Sequence, residues 1–344
     1  MSVWLPSAPC TAPRCLAGPA PTVAGPRRAV RYAALLSVLM CGVLLSPVVG
    51  AFPAVLRDRL TARWSRALIA ALGVRVRVTG GEAERTAAGA LVVANHVSWL
   101  DIPLIAAARP GRMLAKAEIA HYPVLGRLAA RGGTLFVDRA RLRALPGTVG
   151  EIASVLRTGR TVVAFPEGST WCGRRHGRFR NAVFQAALDA SAPVQPVAVR
   201  YRLLDRSPTA VPAFIGEDTL LTSVRRVARS RGLVAELVLL PRIPAGAYAD
   251  RRALARAAHT AVRGVAEGAR GDWGVPGDPH PDDLHPDGLH RGGLHPGDPN
   301  RGGPAPGGLH PGAVTDGRVT DLRVAEGRAA DGREGISGPH RVLT

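Results

Sequence analysis

The chain has 344 residues and a formal net charge of +19, from 45 lysines and arginines against 26 carboxylates, and Lys116 is its only lysine. Such a length buries a sizeable core, and such a charge predicts an anionic partner, either nucleic acid or an anionic membrane surface. Aromatics at 4% are too few for the stacking platforms of a single-strand binder, and no zinc-finger or helix-turn-helix signature is present, so a membrane is expected and nucleic acid is not.

Residues 1–28 are rich in Pro, Ala and Gly and read as a disordered leader. Residues 29–72 read as a membrane-associated helical segment. Tyr32–Leu56 holds no charge, and a bilayer crossing needs about 20 apolar residues. Pro47 and Pro53 interrupt its second half, and arginines flank both ends: Arg27, Arg28 and Arg31 before it, Arg57, Arg59, Arg63 and Arg66 after it. Basic residues on both sides give the positive-inside rule nothing to choose between. A re-entrant hairpin with both ends cytoplasmic therefore competes with a full crossing. The next stretch, LTARWSRALIAAL, sets apolar residues against arginines as an interfacial helix does.

Residues 73–270 alternate short β-type runs (near 74–79, 90–95, 113–115, 133–137, 161–165, 194–201 and 234–240) with helical patterns (near 99–108, 118–131, 145–158, 178–190, 218–230 and 250–268). This alternation predicts a single α/β domain, its sheet flanked by helices. Residues 271–344 collapse into Gly, Pro, Asp and His with loose LHPDG-like repeats, and read as a disordered tail. Cys10, Cys15, Cys41 and Cys172 show no paired spacing, which predicts neither a disulfide framework nor a metal site.

Three strand ends could carry chemistry. In VVANHVSWLD, an apolar run stops at Asn95, and His96 and Asp101 follow. Ser98 and Asp101 form a capping-box pattern, which explains them as a helix start. Equally, Asp101 in the first helical turn could take the Nδ1 proton of His96 and leave Nε2 as a general base. Spacing alone does not separate the two. TVVAFPEGST ends a second strand in Glu167, Gly168 and Ser169, at the edge where open α/β sheets bind ligands. Arg174, Arg175, Arg178 and Arg180 follow, and guanidinium groups suit a phosphate or similar anion. A third stretch runs from Lys116 through a long amphipathic helix to Asp138 and Arg139.

In order and wording these stretches resemble the glycerolipid (lysophospholipid) acyltransferase family, over roughly residues 70–245. Asn95-His96-x-Ser98-x-x-Asp101 is similar to its catalytic block. Lys116-x-Glu118 through Phe136-Val137-Asp138-Arg139 is similar to the second, Phe165-Pro166-Glu167-Gly168 to the third, and VQPVAV (194–199) to the fourth. The resemblance implies one acyltransferase domain with a mixed, mostly parallel sheet. It implies direct acyl transfer with His96 as base and Asp101 as its orienting group. Lys116, Arg139, Glu167, Gly168, Ser169, Arg174, Arg178 and Arg180 would bind the substrates. It further implies no bound cofactor or metal, acyl-coenzyme A or acyl carrier protein as co-substrate, a lysophospholipid acceptor drawn from the bilayer, and a catalytic domain on the cytoplasmic face of the cell membrane.

One departure bears on the acceptor. Phosphate-recognising members read E-G-T-R where this chain reads Glu167-Gly168-Ser169-Thr170, and members acting on lyso-ornithine lipid have a comparable E-G-T-T. The implied reaction is thus acylation of 1-acyl-glycerol-3-phosphate to phosphatidic acid, with lyso-ornithine lipid O-acylation as the alternative. A lipid hydrolase or transacylase using the same His–Asp pair, and a non-catalytic basic membrane-binding protein, are the further rivals.

Overall fold

The computed structural model describes residues 8–16, 20–81, 89–122, 125–138, 141–267 and 320–321. A single helical turn, Ala12–Cys15, comes first, and two long helices follow, α1 (Gly25–Val49) and α2 (Ala54–Ala71). Pro53, with its fixed φ and missing N–H, stands just before α2. The helices pack as a hairpin. Trp64 Nε1 of α2 donates to the Val38 carbonyl of α1 at 2.9 Å. Gly42 lets the indole approach, since a Cβ there would lie 2.5 Å from Trp64 Nε1.

The α/β part follows: β1 (Arg75–Thr79), β2 (Leu91–Ala94), α3 (Asp101–Ala108), β3 (Arg112–Lys116), α4 (Leu125–Arg131), β4 (Leu135–Val137), α5 (Leu145–Arg157), β5 (Val162–Ala164), α6 (Ala182–Asp189), β6 (Val194–Arg202), α7 (Leu220–Arg229), β7 (Val234–Leu239) and α8 (Arg251–Glu267). Thr320–Asp321 adds a two-residue strand, β8. The sheet order is β4-β3-β5-β2-β6-β7-β1-β8. Every neighbouring pair is parallel except β6–β7 and β1–β8. This is the mixed, mostly parallel sheet flanked by helices that the sequence predicts.

Strand β2 reads Leu-Val-Val-Ala without alternation because both of its faces are covered, and all four residues are fully buried. Leu68 and Ile69 of α2, Leu104 and Ile105 of α3 and Val227 of α7 pack on one face. Ile152 and Leu156 of α5, Phe184 of α6 and Leu254 of α8 pack on the other. Burial at this level stabilises the fold by about 1.5–3 kcal/mol for each large side chain.

Three local expectations change. The long helix predicted at 118–131 is split into a 3₁₀ turn, Ala117–His121, and α4. Tyr122, which precedes Pro123, is extended (φ −72°, ψ 125°), because a proline excludes the helical region for the residue before it. The helix expected from 178 starts at Ala182, since the Arg180 N–H is used by the Pro166 carbonyl at 2.9 Å. Part of the leader is ordered rather than loose. Val23 N–H donates to Arg229 O at 2.9 Å, Arg231 N–H to Pro21 O at 2.7 Å, and Cys10 is buried. The tail from 271 lies outside the described residues, apart from β8.

Arg31 joins α1 to the domain. Its Nη1 donates to the Ala228 carbonyl at 2.9 Å and to the Ser230 carbonyl at 2.7 Å. A cation at the end of α7 also suits the partial negative charge of a helix C-terminus.

Candidate active site

The parallel strands β2, β3, β4 and β5 end on one edge of the sheet, and the loops after them carry the residues singled out in the sequence. Asn95 closes β2 by a reciprocal pair with β6: its Nδ2 donates to Val199 O at 3.0 Å, and its Oδ1 accepts from Val199 N–H at 2.8 Å. The next residue, His96, is thereby lifted off the strand end. Its ring stacks on Phe165 at 4.0 Å with 16° between the planes. Its carbonyl accepts the Trp171 N–H at 2.7 Å.

His96 Nδ1 lies 2.9 Å from Asp101 Oδ2. Asp101 is completely buried, whereas the His96 side chain keeps 17% exposure. The same carboxylate oxygen accepts the N–H groups of Val97 at 2.7 Å and Ser98 at 2.8 Å, and Oδ1 accepts the Tyr201 hydroxyl at 2.6 Å. The two amides and the phenol are donors, so the carboxylate oxygens act as acceptors; Nδ1, facing one of them, carries the proton and Nε2 presents its lone pair. Among the described residues no group is bonded to Nε2. The capping reading and the catalytic reading turn out to share one carboxylate. Asp101 reaches back to Ser98 N–H as a capping box requires, while the Ser98 hydroxyl accepts from Leu100 N–H at 3.2 Å.

Tyr201 is the residue that the sequence reading missed. It sits at the end of β6, one hundred positions from its partner. Burial first, and the Asp101 carboxylate second, raise its pKa well above the usual phenol value, which keeps the hydroxyl a donor. Tyr201→Phe is expected to cost about 1–3 kcal/mol of stability, the penalty for a buried acceptor left unsatisfied. Chemical denaturation of the two proteins side by side measures it, and an unchanged midpoint would remove Tyr201 from the site.

Glu167, expected as a substrate ligand, is bonded to the backbone of two loops. Its carboxylate is buried, with Oε2 accepting the His96 N–H at 2.7 Å and Oε1 the Gly177 N–H at 3.2 Å, and His176 Nδ1 stands 3.8 Å away. Burial raises its pKa, and His176 opposes that rise. Here the side chain positions the backbone of two loops, with one main-chain N–H on each oxygen. Gly168 N–H closes the turn onto Phe165 O at 3.1 Å, and Ser169 follows, half-buried. The Thr170 hydroxyl is tied to the Phe214 carbonyl.

Of the expected cations, Arg178 and Arg180 are exposed and Arg174 is half-buried, all on the loop between β5 and α6. Lys116, at the end of β3, pairs with Glu118 at 2.9 Å near the surface. Arg139 lies outside the described residues. The structure therefore brings His96, Asp101 and Glu167 together, and sets Lys116 on a more distant strand of the same edge.

His259 of α8 supports the loop from below. Its Nε2 is 3.1 Å from the Gly177 carbonyl, so this nitrogen carries the proton. Burial, and after it Arg263, hold its pKa below the ordinary 6.5. A depressed histidine contributes stability above its unfolded pKa and loses it as the pH falls through the folded value. His259→Phe should therefore destabilise the protein most near neutrality. The gap in melting temperature to wild type should narrow between about pH 7.5 and about pH 5.5, and a constant gap across that range would contradict the assignment.

An oriented imidazole with an open Nε2, at the strand-end edge of a mostly parallel sheet, is the arrangement that general-base chemistry requires. Among the described residues no serine or cysteine side chain is bonded to that imidazole. The family profile described as Acyltransferase matches residues 75–200, which span β1 to β6. The lyso-ornithine lipid O-acyltransferase of Pseudomonas aeruginosa is 41% identical over 248 residues, covering 69% of this chain and 92% of that protein. The 1-acyl-sn-glycerol-3-phosphate acyltransferase of Neisseria meningitidis is 34% identical over 209 residues, 61% of this chain and 81% of that one. The crystal structure of the 1-acyl-sn-glycerophosphate acyltransferase of Thermotoga maritima superposes with a TM-score of 0.54 at 19% identity, covering 72% of this chain and 97% of that one, and it shares the fold. The chain belongs to the acyltransferase family.

Proposed function

We propose that the protein moves a fatty acyl group from an acyl thioester to the free hydroxyl of a lysolipid at the membrane surface. The observation that carries this reading is the His96–Asp101 contact of 2.9 Å with Nε2 left open. His96 Nε2 takes the proton of the acceptor hydroxyl, and the oxygen attacks the thioester carbonyl. The tetrahedral oxyanion collapses, the C–S bond breaks, and the departing thiolate takes the proton from the imidazolium. Asp101 holds the ring and offsets its transient positive charge. The donor is acyl-coenzyme A or acyl carrier protein, with Lys116, Arg174, Arg178 and Arg180 contributing positive charge for its phosphates, and Arg139 assigned with them from the sequence.

Two acceptors fit. Lyso-ornithine lipid is favoured by Thr170, whose hydroxyl is occupied by Phe214 where phosphate-recognising members have an arginine, and by the 41% identity to an enzyme named for that acceptor. 1-Acyl-glycerol-3-phosphate is favoured by the arginines at 174–180 and by the relatives named for it.

Membrane attachment is assigned to the α1–α2 hairpin. α1 is long and apolar enough to cross a bilayer, and 6% of its most apolar stretch is buried in the protein. Leu36, Met40, Leu44, Val48, Val55 and Leu56 are exposed, with Arg59 and Arg63 beside them for anionic headgroups. Because α2 returns along α1, the hairpin favours the re-entrant arrangement, with the catalytic domain on the cytoplasmic face.

The test offers both lysolipids to membranes containing the protein, with labelled acyl-coenzyme A or acyl carrier protein. Label is expected in ornithine lipid. Label in phosphatidic acid alone would transfer the reading to the second acceptor, and label in neither would overturn it.

A further inference from the structure

Cysteine spacing predicts no site in this chain, yet the fold brings three of the four thiols into contact. The sulfurs of Cys10, Cys15 and Cys172 all lie within 4.8 Å of one another. Cys10 and Cys172 are buried and Cys15 is half-buried, while Cys41 is exposed elsewhere on α1. Two of the three come from the N-terminal segment and the third from the loop after β5, more than 150 positions away.

We propose that Cys10, Cys15 and Cys172 form a three-thiolate zinc site that clamps the N-terminal segment onto the loop following β5. A zinc ion bonds thiolate sulfur at about 2.3 Å, so tetrahedral ligands stand about 3.8 Å apart. The three sulfurs, all within 4.8 Å of one another, stand near that spacing. Cys172 stands beside Gly173, whose φ of +82° marks a sharp turn of the loop at the third sulfur.

The alternatives explain less. Thiols packed simply as small apolar groups have no need to turn all three sulfurs toward one another. A disulfide would join two of the three and leave the last beside it, and all three cysteines are free. With zinc bound, each Cys releases its S–H proton to solvent as the S–Zn bond forms, and the fourth position is open to water. The clamp lies close to the proposed active site, because Trp171, next to Cys172, donates its N–H to the His96 carbonyl at 2.7 Å.

The full-length protein, purified in detergent without a metal-chelating tag, tests this. Metal analysis should find about one zinc per chain, retained in Cys41→Ser and lost in Cys15→Ser and Cys172→Ser. Six histidines in the tail offer zinc a separate place, so the second readout is specific to sulfur. Protein loaded with cobalt(II) should show a near-ultraviolet thiolate-to-metal charge-transfer band in wild type and Cys41→Ser, and none in Cys172→Ser. Circular dichroism checks that the variants are folded. Cys15, at the edge of the triad, is the substitution least disruptive to packing. Wild-type protein without the thiolate band, a band that survives in both Cys15→Ser and Cys172→Ser, or a Cys–Cys crosslink in freshly alkylated protein would each overturn the proposal.

Discussion

Replacing His96 with alanine should lower acyl transfer by roughly 10²–10⁴-fold, the usual contribution of a positioned general base, while leaving the fold in place. The ring is bonded to Asp101 through Nδ1, rests on Phe165 and is partly open to solvent. The contacts that shape the loop belong to its backbone, from N–H to Glu167 and from carbonyl to Trp171, and alanine keeps both. The decisive measurement pairs the initial rate with the melting temperature. A rate within tenfold of wild type, or a rate loss matched by unfolding, would end the case for His96 as the base.

Asp101 should separate charge from geometry. Asp101→Ala strips acceptors from two main-chain N–H groups, an imidazole and a phenol in a fully buried place. It is expected to destabilise by about 3–5 kcal/mol and to abolish most activity. Asp101→Asn is expected to be much milder in both respects. The amide oxygen is compelled into the Oδ2 position, because Val97 and Ser98 present donors there, and the amide nitrogen then faces Tyr201, whose hydroxyl can turn to accept. The His96 tautomer survives, and only stabilisation of the imidazolium is lost. The expected rate loss for asparagine is on the order of 10-fold to 10²-fold, smaller than for alanine. Equal losses from the two variants would mean that the carboxylate orients nothing. In His96→Ala, adding Asp101→Asn should cost little further activity, because residues that act as a unit are not additive.

The helices and strands were legible where periodicity and chain chemistry agree. The unbroken apolar runs at Leu91–Ala94 and Val162–Ala164 announce strands covered on both faces, and they are the centre of the sheet. Gly42 gave no warning of the hairpin, because its meaning comes from Trp64 across the turn. The pairing of His96 with Asp101 was legible as a possibility only, since one carboxylate serves both a helix start and an imidazole. Glu167 was legible as a residue of the site and its positioning task was not. A carboxylate after a strand reads as a ligand group, and nothing local tells that two backbone amides will bond to it. Tyr201 and the three cysteines were beyond local reading for a common reason. Their partners are set by strand order and by how the N-terminal segment folds back, and neither has a signature in spacing.

The arginine clasp between α1 and α7 has a kinetic corollary. Arg31 holds the carbonyls of Ala228 and Ser230, so the hairpin joins the sheet layer through a bonded contact in addition to its packing. Under the proposed membrane attachment, the strand-end edge stands at a set height and tilt over the lipid surface. The enzyme then meets its acceptor by lateral encounter in two dimensions. Its velocity should follow the mole fraction of lysolipid in the surface, and diluting that surface with inert lipid should slow it even when the total amount of lysolipid is unchanged.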